Sequence, residues 1–116
     1  MDEKIEKAFV VANFMATLSN QKRIILEEYQ QKLIHYVNGA TFSVDHQLIS
    51  FLRSAIELGY KKNLTIVDNN NFPVLIEDVQ VFLEEVSKKY FNATEEYGLK
   101  YNDLRSKRKI SDIVGL

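Results

Sequence analysis

EDVQVFLEEVSKKYFNATEEYGLKYNDLR, residues 77–105, is the longest segment of the chain that keeps one helical period. Val79, Leu83, Val86, Tyr90, Ala93, Tyr97, Tyr101 and Leu104 succeed one another at steps of three or four, which lines them along one face of a helix. The other face carries Glu84 before Lys88 and Glu85 before Lys89, the acid-then-base order at i,i+4 that favours an isolated helix by about 0.2–0.5 kcal/mol per pair. A long amphipathic helix follows, and its apolar stripe needs a cover from elsewhere in the chain or from another chain. Glu77 and Asp78 suit its positive N-terminal end, and Gln80 three residues after Glu77 resembles a capping box with an acid in place of Ser or Thr. Gly98 inside the pattern costs roughly 1 kcal/mol against alanine, so the spacing predicts an unbroken helix with a kink or a close helix contact there.

A second long helical stretch covers residues 3–37. Ile5, Ala8, Ala12, Met15, Leu26, Tyr29, Leu33 and Tyr36 fall near the same spacing, and Phe9, Val10, Val11 and Phe14 broaden the stripe. Ser19-Asn-Gln-Lys-Arg23 interrupts it, which leaves one helix with a polar middle or two helices; a single helix is the expectation, ended by Asn38-Gly39. Thr41-Phe-Ser-Val44 is short and β-branched, and is expected to be extended. Asp45 then caps a short helix over 45–58 whose apolar face is Leu48, Ile49, Leu52, Ala55 and Ile56, closed by Gly59. Leu64-Thr-Ile-Val67 and Val74-Leu-Ile76, separated by the turn-forming Asp68-Asn-Asn-Asn-Phe-Pro73, predict a β-hairpin over 64–76 with Pro73 at a strand start or on an open edge. Two strands alone are marginal in water, so the hairpin should lie on a helix or gain a strand, residues 41–44 being the available one.

The fold class expected is α+β and mostly helical: two long antiparallel helices, with a short helix and a β-hairpin at one end. With 116 residues and 46% hydrophobic content, residues 1–109 are read as a single domain with a real core, and 110–116 as an apolar C-terminal tail. Ile110, Ile113 and Val114 recur there at helical spacing, so the tail is expected to dock onto its own chain, a sister subunit or a partner. Cysteine is absent, which excludes disulfides and thiolate metal sites, and MDEKIEK opens the chain with neither a signal-peptide pattern nor a membrane span; a cytoplasmic protein is expected, with no membrane partner. A net charge of −1 offers nucleic acid no overall attraction.

Chemistry-bearing motifs are sparse. The chain lacks GxxxxGK[ST], GxGxxG, HExxH and GxSxG, and is read as non-enzymatic, with no cofactor and no metal site. His35 and His46 are its only histidines; a proton-transfer role would need a nearby carboxylate, and a partly buried or surface histidine is the simpler reading. Asp45, Asp68, Glu77 and Asp78 are the acids available to gather round a hard cation, although caps and turns account for each. Tyr90, Tyr97 and Tyr101 share the helical stripe, which favours core or interface over base stacking. Arg105, Lys107, Arg108 and Lys109 form a basic patch that either contacts phosphate or solvates a helix end.

Taken in order, Tyr36-Val-Asn-Gly39, Leu48-Ile-Ser-Phe51, Asp68 through Pro73-Val-Leu-Ile-Glu-Asp78, Tyr90-Phe-Asn-Ala-Thr-Glu-Glu-Tyr97 and Lys107-Arg-Lys-Ile-Ser-Asp-Ile-Val114 resemble small uncharacterised proteins of myovirus-type phages infecting marine cyanobacteria. The resemblance implies a setting, the infected bacterial cytoplasm or a virion, and no activity or site. Three functional classes follow from the residues. A protein-interaction or assembly module leads, as a homo-oligomer, with Phe9, Val10, Phe14, Ile24 and Phe91 lying off the main stripes and an interface drawn from Phe9, Phe14, Tyr90, Tyr97, Tyr101, Ile110, Ile113 and Val114. A nucleic-acid accessory protein using Arg105, Lys107, Arg108 and Lys109 comes second. A small enzyme would have His35 and His46 to work with.

Overall fold

A computed structural model describes residues 2–113, with side chains over 2–107. The fold is α+β and mostly helical: α1 (Asp2–Lys32), β1 (Ile34–Val37), β2 (Ala40–Ser43), α2 (His46–Glu57), β3 (Lys62–Val67), β4 (Pro73–Asp78) and α3 (Val79–Ile113). Among the described residues, no helix is long and apolar enough to cross a membrane. Two compact units divide the chain: Gln30–Thr94, and the described parts of Met1–Tyr29 with Glu95–Leu116.

Neither glycine nor proline occurs before Gly39, so nothing breaks α1 along its 31 residues, the polar middle included. Asp2 and Glu3 in its first turn and Lys32 in its last oppose the helix dipole at either end. The helix does not reach residue 37. Ile34-His-Tyr-Val pairs with Ala40-Thr-Phe-Ser as an antiparallel hairpin, Val37 facing Ala40. Asn38 and Gly39 form its two-residue turn with φ of 49° and 76°, the double positive φ that a type I′ turn requires and that lets two twisted strands meet. These two residues, expected to end a helix, instead reverse a strand. Two β-branched residues and an aromatic ahead of them favour the pleated ladder.

In the Gln30–Thr94 unit the core is built from alternate positions. Ala40 and Phe42 point inward along β2 with Val44 just after it, Ile66 and Ile76 along β3 and β4, Leu52 from α2, and Val79, Phe82 and Val86 from α3. Phe42 meets Phe82 edge to face, ring centroids 5.4 Å apart. Asp45 caps α2 as expected, its carboxylate accepting from the Leu48 amide at 2.8 Å. At the other end Gly59 N–H donates to Ile56 and Tyr60 N–H to Ala55, the paired bonds of a Schellman motif, with Gly59 at φ 98°. The expected hairpin is present over Lys62–Val67 and Pro73–Asp78, Pro73 opening its strand opposite Val67. Residues 41–44 do not extend it; β1–β2 and β3–β4 are separate two-stranded sheets.

Side chains join the two hairpins. Asp68, buried at the end of β3, accepts from the Asn70 and Phe72 amides through one carboxylate oxygen, each at 2.9 Å, and from the Thr41 amide of β2 through the other at 3.2 Å. Asn69 continues along the same edge: its N–H donates to Thr41 C=O, its amide oxygen accepts from Ser43 N–H, and its NH₂ donates to the Ser43 hydroxyl. The Phe72 amide leads the donors that hold the Asp68 carboxyl below its ordinary pKa, with Thr41 and Asn70 adding to it and burial opposing. Asp68 thus contributes stability above the ordinary carboxylate range that is lost as pH falls through its lowered folded value.

α3 begins one residue later than a Glu77 cap would place it. Asp78, with its shorter side chain, is the cap, accepting from Val81 N–H at 3.1 Å, while Gln80 donates to Glu84 instead of closing a capping box. The stripe is correct at Val79, Val86, Ala93 and Leu104, all buried, and omits Phe82, which is 3% exposed. Glu85 and Lys89 do not pair along the helix: Glu85 faces His35, and Lys89 Nζ donates to Ile34 C=O at 2.9 Å.

In the other unit α1 and α3 run antiparallel, since Tyr29 stacks on Tyr97, Glu28 binds Lys100, and Lys22 lies over the Tyr101 ring. α1 presents Val11, Phe14, Leu18, Ile25 and Tyr29 as its buried and half-buried stripe. Of the stripe read from the sequence, Ile5, Ala8, Ala12, Met15, Leu26 and Tyr36 are exposed, while Tyr29 and Leu33 are half-buried.

Gly98 makes no close helix contact: a Cβ built there meets no atom within 4 Å, and the helix passes through it. Gly98→Ala should therefore raise stability by about 0.5–1 kcal/mol, read as a higher denaturant midpoint at unchanged slope. Asp68→Asn should unfold at a lower temperature than the wild type at pH 7 and show a flatter loss of melting temperature with acid. An unchanged acid limb would remove this role of Asp68.

Candidate interaction surface

Of the residues singled out for an interface, Phe9, Phe14, Tyr90, Tyr97 and Tyr101 have definite places. Tyr97 lies parallel to Tyr29 with centroids 4.6 Å apart, and edge-on to Tyr101 at 6.2 Å. Tyr101 is also flanked by cations, Lys22 Nζ at 5.7 Å and the Arg105 guanidinium at 5.6 Å from its centroid. These half-buried rings are packed within their own unit. Tyr90 belongs to the other unit, where its hydroxyl hydrogen-bonds His46 Nε2 and its ring meets Phe91 edge-on. Phe14 is half-buried on α1, whereas Phe9 is 65% exposed.

The basic patch is only partly within view. Arg105 rests on Tyr101, and Lys107 Nζ lies 3.5 Å from Asp103, so both cations already have neighbours. The side chains of Arg108, Lys109, Ile110 and Ile113, and Val114 together with the rest of the tail, lie outside the described residues. Just before the patch, Lys100 bridges Glu28 at 2.9 Å and Glu96 at 3.1 Å; the hydrogen bond to Glu28, then that to Glu96, holds its ammonium above the ordinary lysine pKa. Beside this bridge runs an open groove of about 440 Å³ with Ile24, Ile25, Leu99 and Leu104 on its walls.

The four acids weighed as cation ligands serve the backbone or stand apart. Asp45 and Asp78 cap α2 and α3, Asp68 holds a turn, and Glu77 is exposed on β4; among the described residues no three His, Asp or Glu side chains gather as a metal site. His46 is tied to Tyr90. His35 sits between β1 and α3, its Nε2 3.6 Å from Glu85 Oε2 and its ring against Phe82, while Nδ1 is buried without a partner. His35 thus has a carboxylate on one side and the Phe82 ring on the other.

Part of the surface is apolar. Along α1, Ile5, Phe9, Val10 and Met15 are 47%, 65%, 49% and 46% exposed. The antiparallel register of Tyr29 with Tyr97 and Lys22 with Tyr101, continued at 1.5 Å per residue, brings Ile113 level with residues 10–13. The first two turns of α1 consequently have no counterpart among the described residues of α3. Sequence reasoning found these apolar positions but took Ile5, Ala8, Ala12 and Met15 for the inward stripe; the spacing of Val11, Phe14, Leu18 and Ile25 is equally helical and is the one that packs.

Burial, then the Lys89 charge, lowers the His35 pKa, with Glu85 pulling the other way. A histidine lowered in the fold contributes its full stability above the ordinary value near 6.5 and loses it as pH falls from there to the folded value. Urea midpoints should therefore drop between pH 7.5 and 5.5, and His35→Gln should flatten that part of the profile. Parallel profiles for the two proteins would discard the assignment.

No family model, curated protein or solved structure matches the chain.

Proposed function

We propose that this chain is a non-enzymatic protein-interaction or assembly module that works as a homo-oligomer in a bacterial cytoplasm or a virion. The observation that carries the proposal is the apolar surface left on α1: Ile5, Phe9 and Val10 stand exposed on a helix whose buried stripe already uses other positions. Side chains with chemical potential are meanwhile engaged in holding the fold, Asp45 and Asp78 at caps, Asp68 at the turn, His46 on Tyr90. The phage setting is supported by the sequence resemblance alone.

A nucleic-acid role for Arg105, Lys107, Arg108 and Lys109 has less support, because Lys107 has Asp103 beside it and Arg105 lies on a ring. If such binding exists, it should weaken steeply between low and high salt, and changing Lys107, Arg108 and Lys109 to Glu should abolish it.

Light scattering coupled to size exclusion tests the assembly proposal directly. At tens of micromolar the mass should be twice the 13.5 kDa of one chain or a larger multiple. A monomer mass at every concentration would overturn it.

A further inference from the structure

Asn38 is the one asparagine of the chain that glycine follows. In water such a pair has a chemistry of its own. The Gly39 nitrogen attacks the Asn38 Cγ, a C–N bond closes a five-membered succinimide, and the side-chain nitrogen leaves as ammonia. Water then opens the ring. Breaking the Cγ–N bond gives aspartate; breaking the bond from the Asn38 main-chain carbonyl carbon to that nitrogen gives isoaspartate, whose backbone runs through the side chain and is one methylene longer. Both residues are exposed, and the space where a Cβ of residue 39 would stand is open, so water reaches the site freely. Asn63 and Asn71 share the positive φ of Asn38, but Leu64 and Phe72 follow them and screen the nitrogen with a side chain.

The fold holds this reaction in check. With φ of 49° and 76°, Asn38 and Gly39 are the two central residues of the type I′ turn, in which ψ of the first is about +30°. At that ψ the Gly39 nitrogen stands roughly 150° from Cβ about the Cα–C bond, whereas ring closure needs the two nearly eclipsed. The intact turn thus keeps nucleophile and carbonyl apart. Only opening of the hairpin brings them together, and opening is within reach: β1 and β2 pair over four residues each and have no third strand. What restrains it is the join of Thr41 and Ser43 to Asp68 and Asn69, and the Lys89 ammonium on Ile34 C=O.

We infer that Asn38 is a spontaneous modification site gated by the β1–β2 hairpin, which in its open form converts to aspartate or isoaspartate and in the isoaspartate form does not close again. The two products part at the turn. Asp-Gly makes a type I′ turn as readily as Asn-Gly, so the aspartate chain recloses. An added methylene between residues 38 and 39 lengthens a loop that admits two residues, and Val37 no longer meets Ala40. A slip by one residue offers no remedy, because it turns Ala40 and Phe42 out of the core.

The test follows the full chain at neutral pH and physiological temperature, native and in guanidinium, by weighing its proteolytic peptides over time. In guanidinium the peptide holding residues 38 and 39 should gain about one dalton, amide to acid, ahead of every other asparagine peptide. In the native protein the same gain should be slower by roughly tenfold or more, since only the open fraction reacts. Asn38→Gly, which keeps a type I′ sequence, should fold and gain nothing there. Asp68→Asn, or Lys89→Met if that variant does not fold, should quicken the native rate severalfold. The isoaspartate product, identified by an isoaspartate-specific methyltransferase, should exchange its β1 and β2 amides rapidly while those of α2 stay protected; the aspartate product should protect both. A native rate equal to that in guanidinium would mean that the turn gates nothing. Absence of the gain in guanidinium would remove the site, and an isoaspartate product with protected β1 and β2 amides would refute the lasting opening; each of the three overturns the inference.

Discussion

One carboxylate holds the Gln30–Thr94 unit to its design. Asp68 ends β3, and its two oxygens reach three amides on two different hairpins. Two-stranded sheets are marginal by themselves, and here neither hairpin gains a third strand. What they share is an apolar floor on α3 and this polar join. The floor is non-directional and would tolerate some sliding of Phe42 or Ile66 over Phe82; the join fixes the register, because Asp68 and Asn69 meet Thr41 and Ser43 atom to atom. A buried carboxylate without those donors would be heavily penalised, so the loop over 68–72 and β2 must form together or not at all.

The unit formed by the two long helices depends on a different balance. Its inward contacts are aromatic and amphipathic: stacked Tyr29 and Tyr97, Tyr101 between Lys22 and Arg105, and the Glu28–Lys100–Glu96 bridge. Among the described residues of the long helices, only Leu18, Ala93 and Leu104 are buried outside the core around Phe42, and Ala93 falls in the other unit. Exposed ion pairs contribute little, of order 0–1 kcal/mol each. The helix pair thus has a thin core for its length, which is a physical reason for its spare apolar surface to be useful.

Much of this was legible in the sequence. Asp45, Gly59, Pro73 and the 77–105 period each announce one local structure, and each delivers it. Where reading fell short, the deciding partner is far along the chain. Asn38-Gly39 suits a helix end as well as a type I′ turn, and the choice is made by the pairing of Ile34–Val37 with Ala40–Ser43 rather than by the dipeptide. α1 carries two helical stripes of equal merit, and only the register of α3 decides which one is covered. Phe82 hides beside Leu83, because a step of three or four admits either. The Asp68 and Asn69 bonds cross 26 to 28 residues and leave no periodic trace. For the site, the exposed apolar residues were visible as an excess beyond one stripe, while which face they occupied was not.

The Asn69 side chain has a consequence beyond cohesion. A strand at the margin of a sheet shows a row of unpaired amides and carbonyls, an invitation to any extended segment that drifts past. β2 is such a strand, yet Thr41 and Ser43 already give their amides, and Thr41 its carbonyl, to Asp68 and Asn69. The loop impersonates a neighbouring strand two residues long and then turns away. This margin is thereby closed to amyloid-like growth along Thr41 to Ser43, so that crowding of many copies meets no open pairing edge there.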